Sequence, residues 1–224
     1  MFSYYSSVLL MCWMALGILC TLVRENARIA RDDKKLLYLT YALIAVSALA
    51  EWCGLQLNGR ADVPVFLLKT VKCADYILTP MAGGALVAQM RINNRWQKAM
   101  IAILIANTVF QIISAFTGWM IIVDETNTYS SGPLYGVYLI VCLAIIAIVL
   151  IQFALYGRTF RRQNRVSLYA IILLVITGIA IQEGMHDGHR TAYLGLTLGA
   201  VLMFIHSTEF SQLAMDEYVS AQLR

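Results

Sequence analysis

Long runs without Asp, Glu, Lys or Arg alternate along the chain with short charged joints: residues 1–23, 99–123, 126–157, 166–182 and 191–208 carry none of the four. About 20 apolar residues in helical form cross a ~30 Å hydrocarbon core, so these runs read as membrane spans. Allowing an occasional intramembrane charge, the pattern predicts helices over 4–23, 36–57, 66–90, 98–122, 134–156, 166–185 and 191–210. The expected fold class is an all-α, polytopic membrane protein with a seven-transmembrane-helix bundle. Residues 1–210 form its membrane domain, and 211–224 begin a helix that continues into the cytoplasm.

Composition agrees with this pattern. The 224 residues are 60% hydrophobic and 13% charged, against ~45–50% and ~25% in soluble domains. A soluble enzyme, a nucleic-acid binder and a disordered tail are excluded. No joint is long enough to fold as a domain of its own. The five cysteines (Cys12, Cys20, Cys53, Cys73, Cys142) lie in apolar stretches without a C-x-x-C, which makes them packing residues rather than a disulfide framework or zinc site.

Charge sets the orientation. Arg24, Arg28, Arg31, Lys34 and Lys35, then Arg91, Arg95 and Lys98, then Arg158, Arg161, Arg162 and Arg165, together with Arg224, hold 13 of the 17 basic residues. Lysine and arginine collect on the cytoplasmic side, which places the N-terminus outside, the C-terminus inside and an odd number of spans between them. Met1 to Tyr5 contain no basic residue and Arg24 follows the first run, an order that marks a retained span rather than a signal peptide. The mature chain is expected to start at Met1.

Candidate chemistry collects toward the outer half. Intramembrane charges are costly and face a bundle interior with partners. The third helix carries Lys69, Lys72 and Asp75 at spacings of three, followed by Tyr76 and Pro80, while Glu51 and Trp52 lie near the outer end of the second helix and Glu183 near that of the sixth. Two readings fit. The acids and lysines form ion pairs that fix helix packing, or they line a water-accessible pocket for a small polar ligand such as a carboxylate held by lysine. The ligand-binding candidates are therefore Glu51, Trp52, Lys69, Lys72, Asp75, Tyr76 and Glu183. Pro80 cannot donate to the carbonyl near Tyr76 and is expected to kink the helix there, with Gly83 and Gly84 following. His186, Asp187 and His189 stand in a glycine-containing turn that matches no metal motif. No cofactor, metal or catalytic constellation is expected, and the last span lacks a lysine for a retinal Schiff base.

Between the fourth and fifth helices stand Ser114, Thr117-Gly118, Asp124, Asn127-Thr128-Tyr129 and Gly132-Pro133-Leu134. With Lys72, Asp75, Tyr76 and Pro80, this arrangement resembles the membrane input regions of bacterial, especially Firmicute, GGDEF-type diguanylate cyclases. Related multi-span sensors precede LytS-like histidine kinases. An Arg often precedes the Gly in that group, where this chain has Ser131. The resemblance implies a sensor in the bacterial inner membrane that binds a small molecule, forms a homodimer and drives a cytoplasmic output domain through its last helix. Membrane lipid is the other expected partner, and nucleic acid is not one. The alternative is a small transporter or permease for a polar solute, using the same residues with Pro80 in the gate. A purely structural membrane subunit is a third reading.

Overall fold

The computed structural model describes residues 4–27, 29–88, 95–157, 173, 176–178 and 192–222. The chain is mostly helical: α1 (Tyr4–Glu25), α2 (Arg31–Leu57), α3 (Val65–Ala88), α4 (Arg95–Thr117), α5 (Tyr135–Gly157) and α6 (Ala192–Gln222), with two short strands, β1 (Ile121–Val123) and β2 (Tyr129–Ser131), between α4 and α5. The sixth predicted helix (166–185), together with Glu183 and the histidine turn at 183–190, falls almost wholly outside the described residues. The contacts divide the chain into two units, one of Met1–Ala42 with Phe153–Arg224 and one of Leu43–Gln152.

In the first unit α1 packs on α6. Its buried residues are Ser6, Leu9, Cys12, Leu16, Leu19 and Val23, a spacing of three and four that draws one seam along a helix. The facing seam on α6 comprises Tyr193, Leu196, Ala200 and Met203. The other side of α1 exposes Leu10, Met11, Met14, Ile18 and Leu22; water would penalise such a face, whereas lipid does not. The C-terminus of α1 is closed by Lys34, whose Nζ donates to the Arg24 carbonyl at 3.0 Å. Asp32 and Asp33 occupy the first turn of α2, where negative charge meets the positive end of the helix dipole.

Among the described residues, α1, α2, α4 and residues Tyr135–Gln152 of α5 are long and apolar enough to cross a membrane. Only 22% of the α4 and α5 windows is buried within the protein, so most of their apolar surface faces outward, as it does in a bilayer. α3 is 24 residues long but carries the three charges, and the apolar part of α6, Ala192–Ile205, is shorter.

The fourth helix stops five residues before the predicted end at 122. Gly118 takes φ +73° and its N–H donates to the Ser114 carbonyl at 2.9 Å, a left-handed helix stop that glycine adopts without penalty. The Ser114 hydroxyl then accepts the Met120 N–H at 2.8 Å. Beyond this stop, β-branched Ile121, Ile122 and Val123 suit an extended backbone. They pair antiparallel with β2 in the register Ile121↔Ser131, Ile122↔Ser130, Val123↔Tyr129. A two-stranded ribbon thus takes up the stretch between α4 and α5, including residues 121 and 122 where helix is expected.

The ribbon turn is held by Asp124, whose carboxylate accepts the Thr126 hydroxyl at 2.7 Å and the Thr128 N–H at 2.8 Å. These hydrogen bonds, the Thr126 one first, favour the ionised form and hold the Asp124 carboxyl below its ordinary value of 3.8. A depressed carboxylate stabilises the fold above the unfolded value and loses that contribution as pH falls through the folded one. Amide exchange at Thr128 is therefore expected to be slow and insensitive to Asp124 ionisation above pH 3.8, and to accelerate on acidification below it, with Asp124→Asn flattening the profile.

Candidate functional site

The site lies in the second unit, where α2 and α3 run antiparallel. Ser47 Oγ meets Thr79 Oγ1 at 3.2 Å, and seven residues further along α2, Gly54 lies against Lys72, so that a Cβ there would stand 2.9 Å from Lys72 Cε. Ser47, Glu51 and Gly54 share one helical face, as do Lys72, Asp75 and Thr79. The same antiparallel register puts Glu51 level with Asp75. The absence of a side chain at Gly54 makes the room that the lysine stem occupies.

Lys72, Asp75 and Glu51 are 4%, 6% and 3% exposed. Lys72 Nζ lies 3.9 Å from Asp75 Oδ2, while Asp75 Oδ1 accepts the Thr79 hydroxyl at 3.2 Å. Asp75 stands ten residues into α3, about 15 Å along the axis at 1.5 Å per residue. Two carboxylates and one ammonium are thus enclosed in the interior of the unit.

Tyr129 of β2 covers this group. Lys72 Nζ is 5.1 Å from the centre of its ring, a cation–π arrangement, and its hydroxyl hydrogen-bonds the Tyr76 hydroxyl at 2.7 Å. Tyr76 also packs edge-on against Tyr138 and Tyr135, with ring centres 4.8 and 6.3 Å away. Met120, Ile121 and Tyr138 form the buried centre of this cluster, with Cys73, Phe110 and Cys142 against it.

The ribbon is fastened over the site by Asn127, at φ +57°. Its side-chain amide donates to the carbonyls of Arg60, Val63 and Leu57 at 2.9, 3.3 and 3.4 Å, and its own carbonyl accepts the Gly59 N–H at 2.8 Å. Asn58 Oδ1 accepts the Tyr129 N–H at 2.7 Å. The α2–α3 turn and the ribbon are therefore joined mainly through one asparagine. Asn127→Ala removes three side-chain hydrogen bonds and leaves alanine in a left-handed conformation, an expected loss of about 2 kcal/mol. Exchange of the Tyr129 amide should quicken while that of α1 stays unchanged.

Pro80 stands inside α3 and has no N–H to give to the carbonyl one turn before it. The Tyr76 carbonyl, one turn earlier, accepts Asn107 Nδ2 from α4 at 3.0 Å, and Asn107 Oδ1 in turn accepts Gln111 Nε2 at 3.2 Å. A neighbouring helix thus satisfies the group that proline releases.

Of the sequence-predicted residues, the fold brings Glu51, Lys72, Asp75 and Tyr76 together. Trp52 is half-buried beside Glu51 on α2. Lys69 lines an open groove between α3 and α4. Glu183 lies outside the described residues. Tyr129, Asn127, Gly54 and Thr79 belong to the site without having been candidates; the Asn127-x-Tyr129 pattern was their one visible signal. Among the described residues no group of three or more His, Cys, Asp or Glu is placed to hold a metal.

Apolar outward surfaces with an ionic group enclosed between helices define an α-helical membrane protein. Compared with family models, curated proteins and solved structures, the chain matches none.

Proposed function

We propose that this chain is the sensing input of a bacterial inner-membrane signalling protein. It spans the membrane seven times with its N-terminus outside, and binds a small polar molecule at Glu51, Lys72, Asp75 and Tyr76. The observation that carries this reading is the buried Lys72–Asp75 pair under Tyr129. A charge pair needed only for packing could lie under any side chain, whereas this one lies under a ribbon held chiefly by Asn127, a cover that can lift locally. Opening admits a ligand that replaces the long 3.9 Å contact with shorter ones to Lys72 or the carboxylates. The ligand must favour one of the two ribbon positions, since equal affinity for both would shift nothing.

α6 supports the output side of the proposal. It continues as one helix from Ile205, where its apolar part ends, to Gln222, about 25 Å further at 1.5 Å per residue. Such a helix carries a displacement from the membrane to a cytoplasmic output domain, either a diguanylate cyclase or a kinase, to which the proposal assigns the catalysis. These outputs work in pairs, which makes the functional unit a homodimer.

The test is thermal unfolding of the reconstituted protein against a panel of small carboxylates, amines and amino acids. A member of the panel should raise the midpoint in a saturable way, and the shift should disappear in Lys72→Gln. Absence of any shift across the panel would sink the proposal. Lys72-dependent solute flux into proteoliposomes would replace it with the transporter reading.

A further inference from the structure

Between α3 and α4, on the side of α3 away from Lys72, lies an open groove of about 640 Å³ lined by Phe66, Lys69, Cys73, Ile77, Ile112 and Phe116 among others. Phe66 and Phe116 are 72% and 80% exposed, so the groove faces whatever surrounds the protein. Lys69 is the one charged residue in its lining, and among the described residues it has no hydrogen bond or ion pair. We infer that this groove binds a membrane phospholipid with a net negative headgroup, its phosphate on Lys69 and an acyl chain along Cys73, Ile77 and Ile112.

Depth and charge both lead to this occupant. Lys69 is four residues into α3, about 6 Å from the helix end at 1.5 Å per residue, and Ile77 is about 12 Å further in. A headgroup zone adjoining the hydrocarbon core has this layout, cation first and apolar wall beyond it. Water gains little from walls that offer so few polar partners. A second copy of the chain fits less well. A two-fold contact through the groove would bring Lys69 toward its own copy, with no carboxylate in the lining to neutralise either charge. An anionic lipid supplies both the missing negative charge and the apolar tail. This inference does not depend on the ligand site at Lys72, which occupies another face of the same helix.

The experiment uses the full chain in nanodiscs containing phosphatidylglycerol with a photoreactive acyl chain, and maps the attached lipid by mass spectrometry. Label should concentrate on Cys73, Ile77, Ile112 and Phe116. Lys69→Gln should lower it about fivefold, the effect of one lysine on an anionic headgroup. Ala115→Trp, which fills the groove from the α4 side, should abolish it. Wild-type elution and melting of the two variants would show that they fold. Labelling equal in wild type and Lys69→Gln, labelling spread evenly over Met11, Met14 and Ile18 of α1, or a Cys73–Cys73 cross-link between two copies that excludes the lipid would each overturn the inference.

Discussion

Lys72→Met is expected to lower stability by about 3–5 kcal/mol, the cost of leaving one member of a buried ion pair without its partner. Methionine keeps much of the apolar stem that lies against Gly54, so the loss measures charge more than packing. The variant leaves the buried Asp75 carboxylate without the Lys72 ammonium, with Glu51 buried on the facing helix. Removing the Asp75 carboxylate as well, in Lys72→Met with Asp75→Leu, should recover much of the loss, because a pair replaced by apolar groups often costs little. Equilibrium unfolding in mixed micelles gives both values, and the double-mutant cycle isolates the coupling. A single-variant loss below about 1 kcal/mol would mean that water reaches Asp75 and screens it as at an exposed site.

The second large effect is expected at Gly132. A Cβ there would run into the Trp119 carbonyl oxygen and stand 2.8 Å from that of Gly118, both backbone atoms that cannot swing aside. The Gly132 N–H donates to the Met120 carbonyl at 2.8 Å and the Leu134 N–H to that of Trp119 at 2.9 Å, so relief of the clash must break the junction of ribbon and α5. Gly132→Ala should therefore cost about 3 kcal/mol, at the upper end for overpacking. It should also displace Tyr129 from Lys72 and Tyr76, read as faster exchange of the Tyr129 amide. Gly136→Ala is the control: nothing lies within 4 Å of its Cβ, and alanine in the first turn of α5 should be neutral or slightly stabilising. Equal losses at the two glycines would remove close approach as the explanation.

The second expectation rests on a division of labour within the α4–α5 connection. Ser114, Gly118, Asp124, Asn127 and Gly132 each hold a backbone turn or stop, and Tyr129 alone reaches the ionic group. These residues are thus, physically, the set that builds and fastens a cover. Their local roles account for every one of those residue types without a ligand, and the ligand reading draws on Lys72, Asp75 and Glu51 instead.

The amino-acid sequence by itself determined the six long helices of the described residues to within about five residues at the shared ends, because an apolar run of membrane length has few other uses, and its ends are marked by charge or by Gly and Pro. It also placed Glu51, Lys72, Asp75 and Tyr76 as candidates, because a charge inside a span is conspicuous wherever its partner lies. The carbonyl released by Pro80 was legible too, since the missing donor is a property of proline alone. The tertiary structure decided which charges meet. Lys69 and Lys72 are alike in sequence, yet one turns to a groove beside α4 and the other to Gly54 and Tyr129, a choice made by helix rotation and by the room a glycine leaves. It decided the ribbon as well, whose three-residue strands are too short for a periodic signal. And it brought Asn127 to the carbonyls of Leu57, Arg60 and Val63, because hydrogen bonds between distant turns depend on where helices end in space, which no local pattern encodes.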